Sequence, residues 1–129
     1  MPDSREQGFV DLIWLLQMSH AEYLERFRGT AVRRAKHWML QRNAAVALGN
    51  TGDASCLPHL RRAAADNPHP IVRNHAAWAI GRVGTRLHLP EAERILRDLN
   101  EHETDPSVRE EIELALADLH GGPGDARAD

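Results

Sequence analysis

Ala44-Ala45-Val46-Ala47-Leu48-Gly49 recurs 32 residues later as Ala76-Ala77-Trp78-Ala79-Ile80-Gly81. Pro70-Ile71-Val72-Arg73 recurs 36 residues later as Pro106-Ser107-Val108-Arg109. Aligned on these anchors, Val72, Ala76, Ala79, Ile80 and Val83 fall opposite Val108, Ile112, Ala115, Leu116 and Leu119. Both sets advance in steps that keep them on one helical face. A period in the thirties with two helices per unit predicts an all-α fold, an α-solenoid of six to seven helices. The alanines let paired helices approach closely, and a glycine is expected to end each second helix.

Working outward, residues 8–18 read as a first apolar helix, and Ser19 with Glu22 reads as a capping box opening a second that ends near Gly29. Residues 31–48 hold one bent helix or two short ones, closed by a turn over Gly49-Asn50-Thr51-Gly52-Asp53. Asp53 or Ser55 caps the next helix, and Pro58, Pro70, Pro90 and Pro106 suit first turns. The domain therefore spans 8–120, with residues 1–7 and 121–129 expected to be disordered.

Charge is segregated along the chain. Residues 1–25 carry a net −4, residues 26–86 a net +9 and residues 87–129 a net −8, which leaves −3 overall. Arg26, Arg28, Arg33, Arg34, Lys36 and Arg42 crowd into seventeen residues without an acid. A cationic block of this kind is an electrostatic footprint for a polyanion, with nucleic acid first. The basic residues are fifteen arginines and one lysine, which suits phosphate and base contacts and also suits a high-GC genome. No apolar run approaches the length of a membrane span, and the N-terminus lacks the pattern of a secretory signal. A cytoplasmic protein is the expectation, and the lone cysteine, Cys56, reads as a small packed residue. The eight histidines form no H-x-x-x-H pair, no nucleophile or phosphate-loop motif is present, and no metal or catalytic residue is assigned.

The D-x-P-x-V-R start and A-x-x-A-L-G end resemble short HEAT-like repeats. The stretch Phe27-Arg28-Gly29-Thr30, its basic cluster and Arg42-Asn43-Ala44-Ala45-Val46-Ala47-Leu48-Gly49-Asn50 resembles the opening of the C-terminal HEAT-like domain of epoxyqueuosine reductase. Val72 to Arg82 fits that family's next repeat, whereas Trp38-Met39 departs from its usual basic residue and glycine. The resemblance implies a domain that helps hold tRNA. It also implies that cobalamin and two iron–sulfur clusters belong to a separate catalytic part. Those clusters need about eight cysteine ligands, so no cofactor is expected in this chain, and a separate cobalamin/iron–sulfur subunit is the implied partner.

Arg28, Arg33, Arg34, Lys36, His37 and Arg42 are the candidate phosphate contacts, with Arg82 on the next repeat; a solvated face paired with Glu22 and Glu25 is the plain alternative. Asn43 and Asn74 offer amides at equivalent places to a ligand or to neighbouring turns. Trp38 suits base stacking or packing, Trp78 packing. Arg73 and Arg109 are expected to ladder with Asp66 and Asp105. Binding of structured RNA, the tRNA anticodon arm, by a non-catalytic domain ranks first, and a protein-interaction scaffold second. A relative of HEAT-repeat DNA glycosylases ranks third, because neither Asp53 nor Asp66 has an aromatic setting in the linear sequence.

Overall fold

The computed structural model describes residues 4–29 and 36–121, and the side chains of 4–7, 9 and 10 fall outside that description. Seven helices run in order among the described residues: α1 (Ser4–Gln17), α2 (His20–Arg26), α3 (His37–Thr51), α4 (Leu57–Asp66), α5 (Pro70–Leu87), α6 (Pro90–His102) and α7 (Pro106–Gly121). A 3₁₀ turn, Ala54–Cys56, leads into α4. Helices α1, α4 and α6 form one layer and α3, α5 and α7 the other, with α5 central and packed on α3, α4, α6 and α7. This is the two-layer stack that the internal repeat predicts.

The local signals act where they were expected. Ser19 Oγ accepts from the Glu22 amide while Glu22 accepts from the Ser19 amide, closing a capping box on α2. Asp53 accepts from the Ser55 amide, and prolines open α4, α5, α6 and α7. Val72, Ala76, Ala79, Ile80 and Val83 are all fully buried; Val108, Ile112 and Ala115 join them, with Leu116 and Leu119 packed against the same core. Cys56 is buried there too, and that burial pushes its thiol pKa up.

Three boundaries differ from expectation. Helix α1 begins at Ser4, inside the segment expected to be disordered, because Arg5, Glu6 and Gln7 are sound helix formers. At the other end α7 includes Gly121, and the remaining tail lies outside the described residues. Most informative, the repeat glycines do not stop helices. Helix α3 runs through Gly49 to Thr51, and α5 runs through Gly81 to Leu87, ending at His88 in the left-handed region, φ 55°. Each glycine is a contact point instead. A Cβ on Gly49 would lie 2.7 Å from the Trp78 ring and 3.0 Å from Ala79 Cα; one on Gly81 would lie 2.8 Å from Ala115 Cβ. The missing methyl lets the α3–α5 and α5–α7 backbones approach each other.

A polar thread ties successive units. Gln41, buried on α3, donates to the carbonyls of Leu16 at 2.8 Å and Met18 at 3.3 Å and accepts from Asn67 Nδ2 at 2.9 Å. Arg73 on α5 then donates to the Asn67 carbonyl at 2.9 Å and to both Glu103 oxygens at 3.0 and 3.2 Å. Glu103 Oε2 also accepts from the Thr104 and Asp105 amides. The expected Arg73–Asp66 ladder is thus replaced by a bidentate pair with Glu103, whose side chain is only 7% exposed. Asp105 instead caps α7 through the Ser107 and Val108 amides, and His69 is its counterpart on α5, accepting from the Ile71 amide through Nδ1.

Candidate nucleic-acid interface

The start of α3 carries the candidate site. Lys36 precedes the helix and is exposed; His37 and Trp38 open its first turn, with Arg42 one turn further on. The His37 ring lies against Tyr23, 5.0 Å between centroids and 9° between planes, with Nε2 3.1 Å from the Met18 carbonyl. Burial lowers the His37 pKa, and the Met18 contact opposes that shift. Its ring is a fixed wall of the site. Trp38 stacks on His69 at 4.7 Å and lies beneath the Arg42 guanidinium at 5.4 Å, so much of its surface is already engaged in packing.

Lys36, His37 and Trp38 border a cavity of about 830 Å³ between the C-terminal ends of α1 and α4 and the starts of α2 and α3. Leu16, Met18, Tyr23, Leu24 and Ala63 supply its apolar surface, with Lys36 and Arg62 among its polar lining. Arg62 is a residue that sequence reasoning missed. It sits one turn before Asp66 on α4, so helical spacing turns both towards the cavity. Its neighbour Arg61 turns instead to Asp98, at 2.9 Å. Among the described residues, Lys36, Arg42 and Arg62 have no carboxylate within 4.0 Å, unlike Arg28, Arg61 and Arg73. Arg86, also in the basic block, caps the end of α3 by donating to the Gly52 and Gly49 carbonyls at 2.6 and 3.3 Å.

The remaining candidates distribute as follows. Arg28 pairs with Glu25 at 2.5 Å on an open surface, where such a pair contributes little. Arg33 and Arg34 lie outside the described residues. The two asparagines are not equivalent. Exposed Asn43 accepts from Arg42 Nε and a terminal nitrogen at 3.1 and 3.0 Å, whereas Asn74 donates to the Ser107 carbonyl at 3.3 Å, tying α5 to α7. Asn74 borders a separate cavity of about 340 Å³ beside Trp78 and Val46, and Arg82 is exposed on α5 away from both cavities. Trp78 packs against the core, as expected. Asp66 does have an aromatic setting, contrary to the linear reading: the fold brings it into the cavity shared by Tyr23 and Trp38.

No helix of the described residues is long and apolar enough to cross a membrane. Asp98, Glu101 and His102 come within 4.8 Å of one another on an open helix face, where His102 Nδ1 already meets the Asp98 carbonyl.

The model of the HEAT repeats family matches residues 25–117. Epoxyqueuosine reductase of Bacillus subtilis (strain 168) is 35% identical over 103 residues, which are 80% of this chain and 27% of that protein. The Escherichia coli (strain K12) epoxyqueuosine reductase is 35% identical over 95 residues, 67% of this chain and 24% of that protein. A crystal structure of epoxyqueuosine reductase with an epoxyqueuosine-modified tRNA-Tyr stem loop superposes with a TM-score of 0.76 at 35% identity, covering 84% of this chain and 28% of that one. The chain thus spans about a quarter of the length of these relatives.

Proposed function

We propose, on the premise that this chain belongs to the HEAT-repeat family, that it is a non-catalytic module of queuosine tRNA modification that binds structured RNA, the anticodon arm of tRNA. One observation carries the reading: Lys36 and Arg62, free of carboxylate partners among the described residues, line one cavity, and Arg42, likewise free, lies over Trp38 on its wall. The crystal structure of a relative with a tRNA stem loop supports the choice of polyanion. Phosphate contacts from these side chains would position the RNA by shape and charge. The chemistry belongs elsewhere in this reading. The clusters implied by the resemblance need about eight thiolates; this chain has one, and it is buried. The residues present do not fit those clusters.

The test is a fluorescence-anisotropy titration of a labelled anticodon stem loop with the full chain at 50 and 200 mM salt. Three phosphate contacts give a log–log slope of about −2 to −3, hence a drop of about 15- to 60-fold in affinity across that range. Lys36→Ala, Arg42→Ala and Arg62→Ala should each reduce the slope by about 1. An absent or salt-insensitive signal would overturn the RNA reading and leave the protein scaffold.

A further inference from the structure

We propose that the cavity beside Trp38 receives one unstacked guanine of the RNA, read by Asp66. This rests on the RNA reading above and adds the base that the site selects. Among the described residues Asp66 is the only acid lining a cavity whose rim carries Lys36 and Arg62. No cation lies within 4.0 Å of its carboxylate among the described residues. Its carboxylate is also exposed, so an arriving ligand meets it directly.

A carboxylate weakens a site built for phosphate alone, because like charges repel. It strengthens a site that must also hold a neutral hydrogen-bond donor. Ionised, it only accepts, and it can accept two bonds side by side. Guanine presents two adjacent donors, N1–H and the exocyclic N2–H, that match those two oxygens. Adenine and cytosine each set one amino donor beside a ring acceptor, and uracil sets one N–H between two carbonyls. The accessible apolar and aromatic surface from Leu24, Trp38 and Pro68 suits the faces of a base, while Lys36 and Arg62 suit its flanking phosphates. At about 830 Å³ the cavity has room for a nucleotide.

The test uses the full chain and fluorescein-labelled pentaribonucleotides with guanine, uracil, xanthine or an abasic residue at the centre of four uridines. Guanine should bind about tenfold more tightly than uracil or the abasic strand, the discrimination one bidentate base contact provides. Asp66→Asn replaces one acceptor with a donor, which complements the N1–H and O2 of xanthine. The variant should therefore prefer xanthine over guanine while its affinity for the abasic strand stays within about twofold of wild type. Arg62→Ala should weaken all four strands alike, since it removes only a phosphate contact. Equal affinity of wild type for the guanine and abasic strands would overturn the proposal, as would a guanine preference surviving Asp66→Asn. Release of free guanine would overturn it in favour of base hydrolysis. If the anticodon stem loop binds with the expected salt dependence and the pentamers show no guanine preference, the base pocket fails and the RNA reading stands. If no RNA binds, both fail.

Discussion

Gly81→Ala separates two opposite accounts of the repeat glycines. If Gly81 merely filled an uncrowded interior position, alanine would be the better helix former, a gain of about 1 kcal/mol. In the structure Gly81 lies in the interior of α5, and the new Cβ would stand 2.8 Å from Ala115 Cβ on α7. Carbon contacts are favourable near 3.5–4.0 Å, so the two helices must part by roughly 1 Å. Overpacking costs about 1–3 kcal/mol, and because the Ala115 methyl is fixed to its backbone this contact falls in the upper half of that range. The propensity gain of about 1 kcal/mol then leaves a net loss of about 1–2 kcal/mol. For a chain of this size that lowers Tm by about 4–8 °C. Ala115→Gly alone should also cost about 1–2 kcal/mol, through helix propensity and a lost buried methyl. Together the two changes move one methyl across the interface, and the double variant should return to within about 1 kcal/mol of wild type. Thermal melts followed by circular dichroism on the four proteins give the coupling directly. A higher Tm for Gly81→Ala, or strictly additive losses in the double variant, would refute the close-contact account.

Glu103→Gln should cost about 3 kcal/mol at pH 7, because it leaves the half-buried Arg73 without its counter-charge; urea unfolding measures it. Burial raises the Glu103 carboxyl pKa, but the Arg73 bond and the Asp105 and Thr104 amides outweigh it and hold the group below the usual carboxylate range. With the folded pKa below the unfolded one, this stabilisation is present above about pH 4.5 and is lost as pH falls through the folded value. An acid titration of wild type should therefore show that loss, and Glu103→Gln should lack the corresponding increment. Gln41→Leu should destabilise by about 1–3 kcal/mol by stripping the Leu16 and Met18 carbonyls and Asn67 of their buried partner, read by the same unfolding curves. His88→Gly should stabilise by about 0.5–1 kcal/mol, since His88 ends α5 at φ 55°, where glycine is unstrained; a rise of a few degrees in Tm checks it.

What the sequence disclosed was local. The capping box at Ser19, the first-turn prolines and the apolar spacing from Val72 to Val83 depend on neighbours within a turn or two, and all were legible. Glycine was misread because its local meaning, a helix stop, competes with a tertiary one, room for another helix. Gly81 takes the second meaning from Ala115, which no linear pattern pairs with it. The partner of Arg73 was misassigned for a similar reason: Asp66 is near in sequence, but the turn after α6 delivers Glu103 from 30 residues away. The site was partly visible. Lys36, His37, Trp38 and Arg42 stood out as a cationic and aromatic run, whereas Arg62 and Asp66 join the first three only because the end of α4 faces the start of α3 across the cavity.

The thread from Gln41 through Asn67 and Arg73 to Glu103 gives this stack a spine. Directional bonds lock one unit's end to the next along that edge, and stretching any of them by an ångström breaks it. Elsewhere, apart from single side-chain bonds such as those of Asn74 and Arg86, the helices meet through methyl groups and bare glycine backbone, which tolerate slight sliding. The arc should therefore flex as a book opens, pages fanning about a bound edge, with the cavity beside Trp38 close to the binding.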